Sequence, residues 1–133
     1  MTILQELTIL ASTSHSAPVE GDATVLQLAN DVDALTVPID GVARIDLAFP
    51  NFTDGRAFSQ AYLLRRRRGF KGDIRATGDV LIDQLVQMQR TGFSSAVLKE
   101  GVDAADAQRQ FARFAGFYQG DTEAKPHFAQ VAA

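Results

Sequence analysis

Apolar and polar residues fall into short, repeated blocks along the chain once the first twenty or so positions are passed. Val25-Leu26-Gln27-Leu28 has the length and bulk of a short strand, and Asp31 to Leu35 suits a brief helix or turn before Pro38. Arg44-Ile45-Asp46-Leu47-Ala48-Phe49 begins in alternation, becomes an apolar run and stops at Pro50, which cannot donate to a ladder. Arg56 to Arg68 then switches to a helical period, with Phe58, Ala61, Tyr62 and Leu63 or Leu64 as its stripe. Thr53 or Asp54 is placed to cap that helix, and Gly69 to end it in a left-handed conformation.

The rhythm repeats. Asp73 to Thr77 predicts a second short strand ending at Gly78, and Asp79 is positioned as the cap of a helix over 80–90. Leu81, Leu85 and Met88 form its inner stripe, flanked by Ile82 and Val86, and Gly92 closes it. Phe93 to Leu98 predicts another strand. Asp103 opens a last helix with Ala107, Phe111, Phe114 and Ala115 on one face. Residues 1–21 and 120–133 read as tails around one domain over 22–119.

Strand–helix pairs about 25 residues apart, joined by short connections, imply parallel strands with right-handed crossovers. The expected fold is therefore α/β, with about four βα units on a parallel sheet, either open and doubly wound or half-barrel-like. Half a barrel would leave two exposed edges, so that version predicts a homodimer or a covering N-terminal segment.

Composition narrows the chemistry. The absence of cysteine rules out disulfides, thiolate catalysis and cysteine-held clusters, and only two histidines, His15 and His127, stand near opposite ends. A protein-made zinc site is not expected, and neither is any other metal or cofactor. No GxxxxGK[ST] loop and no GxGxxG fingerprint is present. No run is long enough to cross a bilayer, and Glu6 interrupts an N-terminus that lacks a basic start, so cytoplasm is the expected compartment.

Net charge is −3, yet residues 56–75 hold seven of the Lys and Arg against Asp73 alone. The run Arg65-Arg66-Arg67-Arg68 points around most of a helix circumference and sits at a C-terminus, where the dipole favours cations. It reads as solvated termination, and no nucleic-acid partner is expected.

In either architecture the functional edge is where strands turn into helices. That edge collects Asp54, Gly55 and Arg56, then Arg75, Gly78 and Asp79. Gly55 permits close backbone approach, a helix start offers free N–H groups, and Arg56 adds a forked cation, with Ser59 one turn in. The expected ligand is a small oxyanion held between Arg56 and Arg75. Asp54, Asp79 and Asp83 are the candidate acid/base groups, Asp79 and Asp83 lying four apart on one expected helix face. The alternative for Asp54 is a cap paired with an arginine, and for Asp79 a cap.

The stretch from Phe49 to Arg56, then Ser59, Leu63-Leu64-Arg65 and Gly69 to Leu81, is distinctive. With Asp83-Gln84-Leu85, Gly92-Phe93 and Tyr118-Gln119, it resembles a bacterial family of small uncharacterised proteins often labelled as oxidoreductases probably involved in sulfite reduction. The resemblance covers roughly residues 24–119. It implies an accessory role in assimilatory sulfite or sulfate reduction, with sulfite reductase or another sulfur-assimilation protein as partner. The chain has Thr91 where many relatives carry a cysteine. Two other roles fit the same rim: a small acid/base enzyme, or an interaction module packing through Phe52 and Phe58.

Overall fold

The computed structural model describes residues 7–17, 21–51 and 53–123, with side chains as far as residue 113. Five strands make one parallel sheet: β1 (Thr8–Leu10), β2 (Val25–Leu28), β3 (Arg44–Phe49), β4 (Asp73–Gly78) and β5 (Ser95–Val97). The helices are α1 (Arg56–Arg66), α2 (Leu85–Thr91) and α3 (Ala104–Glu123). Across the sheet the order is β1-β5-β4-β3-β2. The expected α/β class with βα units is what forms. Because β2 to β5 follow one another without a reversal, the layout is the half-barrel-like one, not the doubly wound one.

Sequential crossovers of one hand put every helix on the same face. Alternation along the strands records this directly. Ile45, Leu47 and Phe49 of β3, Ile74 and Ala76 of β4, and Ala96 of β5 join one core with Ala57, Ala61 and Leu64 of α1, Leu85 and Met88 of α2, and Phe111 of α3. All of these are buried. Between β2 and β3 no helix forms, and Ala34 and Val37 of the intervening turns fill its place. The helix at 31–35 is therefore a set of turns.

Three local readings need correction. The buried stripe of α1 is Ala57, Gln60, Ala61 and Leu64, while Tyr62 is exposed. Two alanines at i and i+4 let the helix backbone approach the sheet closely, which rotates Tyr62 out. Second, no helix starts at Val80. Gly78 has φ +92, and the Val80 N–H donates to the Gly78 carbonyl, so the chain makes a turn here. Val80 is buried, a single 3-10 turn follows at Ile82–Gln84, and α2 begins only at Leu85. Third, residues 8–10 are not tail. They form β1, which extends the edge of β5 in register Thr8↔Ser95. A covering N-terminal segment is one of the two solutions the half-barrel layout required.

Other boundaries hold. Gly69 (φ +66) ends α1, and the Phe70 N–H returns to the Leu64 carbonyl. Asp103 starts α3, its carboxylate accepting from the Ala105 N–H at 2.9 Å. Ala107 and Phe111 are buried as the periodicity requires, and α3 continues to Glu123, past the predicted end. Phe52, His127 and the side chains of Phe114 and Ala115 lie outside the described residues.

Candidate functional site

The sheet face away from the helices is polar, and two mirrored tripeptides make it so. Arg44-Ile45-Asp46 lies beside Asp73-Ile74-Arg75, with Arg44 in register with Asp73 and Asp46 with Arg75. The isoleucines point to the core. The four charged residues point to the open face, where each cation neighbours an acid along its own strand and across the ladder. Arg44 grips Asp46 with Nε at 2.8 Å and Nη2 at 3.0 Å, and Asp46 is fully buried. Arg75 donates from Nη2 to Asp73 at 3.1 Å and from Nε to the Ser95 hydroxyl at 3.1 Å.

The segment after β1 crosses this face. Its Ser16 carbonyl accepts from Arg44 Nη2 at 2.9 Å, and His15 Nδ1 stands 3.1 Å from Arg75 Nη1. A guanidinium only donates, so Nδ1 is the acceptor and carries no proton in this contact. Burial lowers the His15 pKa, Asp46 opposes that shift, and Arg75 and Arg44 add to it.

Beside Arg75 is a cavity of about 340 Å³ lined by Thr8, Lys71, Gly72, Asp73, Arg75, Ser94 and Ser95. Asp73 is already engaged, accepting from Ser94 and Ser95 hydroxyls as well as from Arg75. Lys71 is exposed and has no partner among the described residues. The cavity thus combines two cations and the Thr8 hydroxyl with one carboxylate that already holds the Ser94 and Ser95 hydroxyl protons.

The rim is built differently. Asp54 accepts from Arg56 Nη2 at 2.8 Å, from Arg56 Nε and N–H at 3.1 Å, and from Asn30 Nδ2 at 2.7 Å. The Arg56 side-chain and backbone bonds hold the Asp54 carboxyl far below the usual carboxylate range. Gly55 is the residue before α1, and Ser59 is exposed on that helix. Asp79 accepts from Lys99 Nζ at 2.9 Å, and Asp83 is exposed.

The structure does not bring Arg56 and Arg75 together. Arg75 is the third of six residues in β4, so its Cα is about 10 Å short of the strand end at ~3.3 Å per residue. Its side chain bonds back toward Asp73, at the opposite end, whereas Arg56 turns to Asp54. Asp79 and Asp83 share no helix face, because α2 starts after both. Asp54 and Asp79 each face their own cation. Among the described residues no group of three or more His, Cys, Asp or Glu gathers as a metal site. No described helix is long and apolar enough to cross a membrane.

The arginine run also needs correction. Arg65 is not a solvated terminator: it donates to the carbonyls of Gly92 (2.8 Å), Phe70 (2.9 Å) and Gly72 (2.6 Å), and to Ser94 Oγ (3.3 Å). It thereby joins α1 to the loops before β4 and β5. Arg68 reaches the Ala34 carbonyl at 2.9 Å, while Arg66 and Arg67 are exposed. Sequence reasoning overlooked Lys71, Ser94, Ser95, Thr8 and the position of His15. The signal available was the polar alternation of Asp73, Arg75 and Thr77 in an interior strand.

A family model described as "Bacterial protein of unknown function (DUF934)" matches residues 23–128. The chain belongs to this family. The match begins just before β2, so β1 and the segment carrying His15 precede the part that the family model describes. Within DUF934, the mirrored tripeptides, Lys71 and both serines lie inside the matched region. No curated protein and no solved structure matches the chain.

Proposed function

We propose that the chain is an accessory protein of assimilatory sulfite reduction that binds a small oxyanion in the cavity on the open sheet face. The association with sulfite metabolism rests on the family resemblance in its sequence. The oxyanion reading is carried by one observation: Lys71, which has no partner among the described residues, lies beside Arg75 and the Thr8 hydroxyl in the same cavity. A forked guanidinium and the Thr8 hydroxyl give directed hydrogen bonds to tetrahedral or pyramidal oxygens, and the ammonium adds a point charge, while the Ser94 and Ser95 hydroxyl protons stay on Asp73. Asp73 keeps Arg75 extended toward the cavity instead of leaving it free to fold onto the sheet. The rim offers less to an anion, since Arg56 is already held by Asp54 through two side-chain bonds.

The test is thermal melting in the presence of sulfite, sulfate or phosphate. A ligand at a hundred times its Kd should add about 2.7 kcal/mol and raise the melting temperature accordingly. Lys71→Ala should abolish most of the rise, and Arg56→Ala should leave it intact. A rise that survives Lys71→Ala but disappears with Arg56→Ala would move the site back to the rim. Docking on the reductase would bring the bound anion to the enzyme, and co-purification of the two proteins tests that part.

A further inference from the structure

We propose that residues 11–17 form a latch on the oxyanion site, in which the His15 imidazole and the anion compete for the Arg75 guanidinium. The inference rests on the oxyanion reading above and assigns that site its regulation. Among the described residues, Arg75 alone both lines the cavity and holds the crossing segment. Its Nε–H and one N–H of Nη2 are committed to Ser95 and Asp73, and one N–H of Nη1 goes to His15. An anion entering beside Lys71 meets His15 at the Nη1 end of the guanidinium and competes with the imidazole for it. Apart from the His15 contact, the segment is tied to the charged face by the Ser16 carbonyl on Arg44. Loss of the imidazole contact therefore removes one of its two polar anchors there.

Protonation has the same effect as competition. An imidazolium carries a proton on both nitrogens and cannot accept from Arg75. The charged groups around His15 are Arg75 of β4 and Arg44 and Asp46 of β3, with Asp73 on the far side of the Arg75 guanidinium. β5 contributes only the Ser95 hydroxyl, β1 contributes no charge, and the helices cover the other face. Two cations and a single carboxylate already paired with Arg44 make this a poor place for a positive imidazole. Acid therefore opens the latch, and Arg75 becomes available to the anion.

The experiment measures sulfate affinity by calorimetric titration of the full chain between about pH 7.5 and pH 5.5, a range spanning histidine titration. Sulfate stays a dianion throughout, so its own protonation does not enter. The wild-type affinity should rise as the pH falls below about 6.5. His15→Ala should bind sulfate roughly threefold or more tightly at neutral pH, reflecting one lost competing hydrogen bond, and lose the pH dependence. His15→Gln, whose amide oxygen still accepts from Arg75, should keep the weaker neutral-pH affinity while also losing the pH dependence. Binding by the wild type that is unchanged in strength and pH slope in both variants would overturn the latch and leave the oxyanion site standing. No sulfate binding by any of the three chains would overturn the oxyanion site and the latch with it.

Discussion

The rim and the open sheet face both carry arginine–aspartate pairs two residues apart, and they do different jobs. At the rim, Asp54 and Arg56 pair in a turn, with the arginine side chain 62% exposed. On the sheet, Arg44–Asp46 and Arg75–Asp73 are partly or fully withdrawn from water, and each cation also holds something distant: Ser16, His15 or Ser95. The spacing in sequence is identical. A turn lets both side chains reach solvent, whereas a strand puts i and i+2 on one face, where neighbouring strands surround them. The same pair chemistry is thus a clasp within one turn in one place and a long-range tie in the other; the cap position of α1 is Gly55, with no side-chain cap.

Removing a carboxylate from each region would break the comparison most sharply. Asp46→Ala leaves the Arg44 guanidinium facing a buried hole and should cost about 3–5 kcal/mol in urea unfolding. A loss below about 1 kcal/mol would mean that water replaces the carboxylate easily. Next in size is Arg65→Ala, which strips donors from three loop carbonyls that hold the starts of β4 and β5 in place. About 2 kcal/mol is expected, with faster amide exchange over residues 70–74 and 92–95. Smaller still is a pH effect. The His15 pKa is lowered in the fold, so the unfolded chain binds the extra proton first and stability falls as the pH drops below the ordinary value of about 6.5. His15→Ala should flatten that slope, measured as melting temperature against pH. Smallest is Arg56→Ala, an exposed pair whose loss should leave the urea-unfolding midpoint essentially where it is.

Much of the architecture was readable from the blocks of apolar residues. β3, β4, α1 and α3 lie close to where alternation, Pro50, Gly69 and Asp103 put them. The start of α2 was not readable, because Asp79 has the chemistry of a cap while the buried Val80 and the left-handed Gly78 hold the chain in a turn. β1 escaped because three residues are too few to show a period. The site was less legible than the fold. Arg75 was singled out for the site, yet it was assigned to the rim because β4 ends nearby. The strand's own alternation puts Arg75 on the face of Asp73, and only pairing with β3 reveals that Arg44 and Asp46 complete the set. His15 had no pattern around it; its importance comes from chain crossing, which no local sequence records.

The mirrored arrangement of Arg44, Asp46, Asp73 and Arg75 has a consequence for how these positions can be inherited. Exchanging the two residues on one strand keeps the total charge but sets arginine beside arginine and aspartate beside aspartate across the ladder. Exchanging both strands together restores every opposite-sign neighbour. Single steps along that route are penalised and the double exchange is tolerated, so the four positions should drift as a unit, each constraining what the others can become.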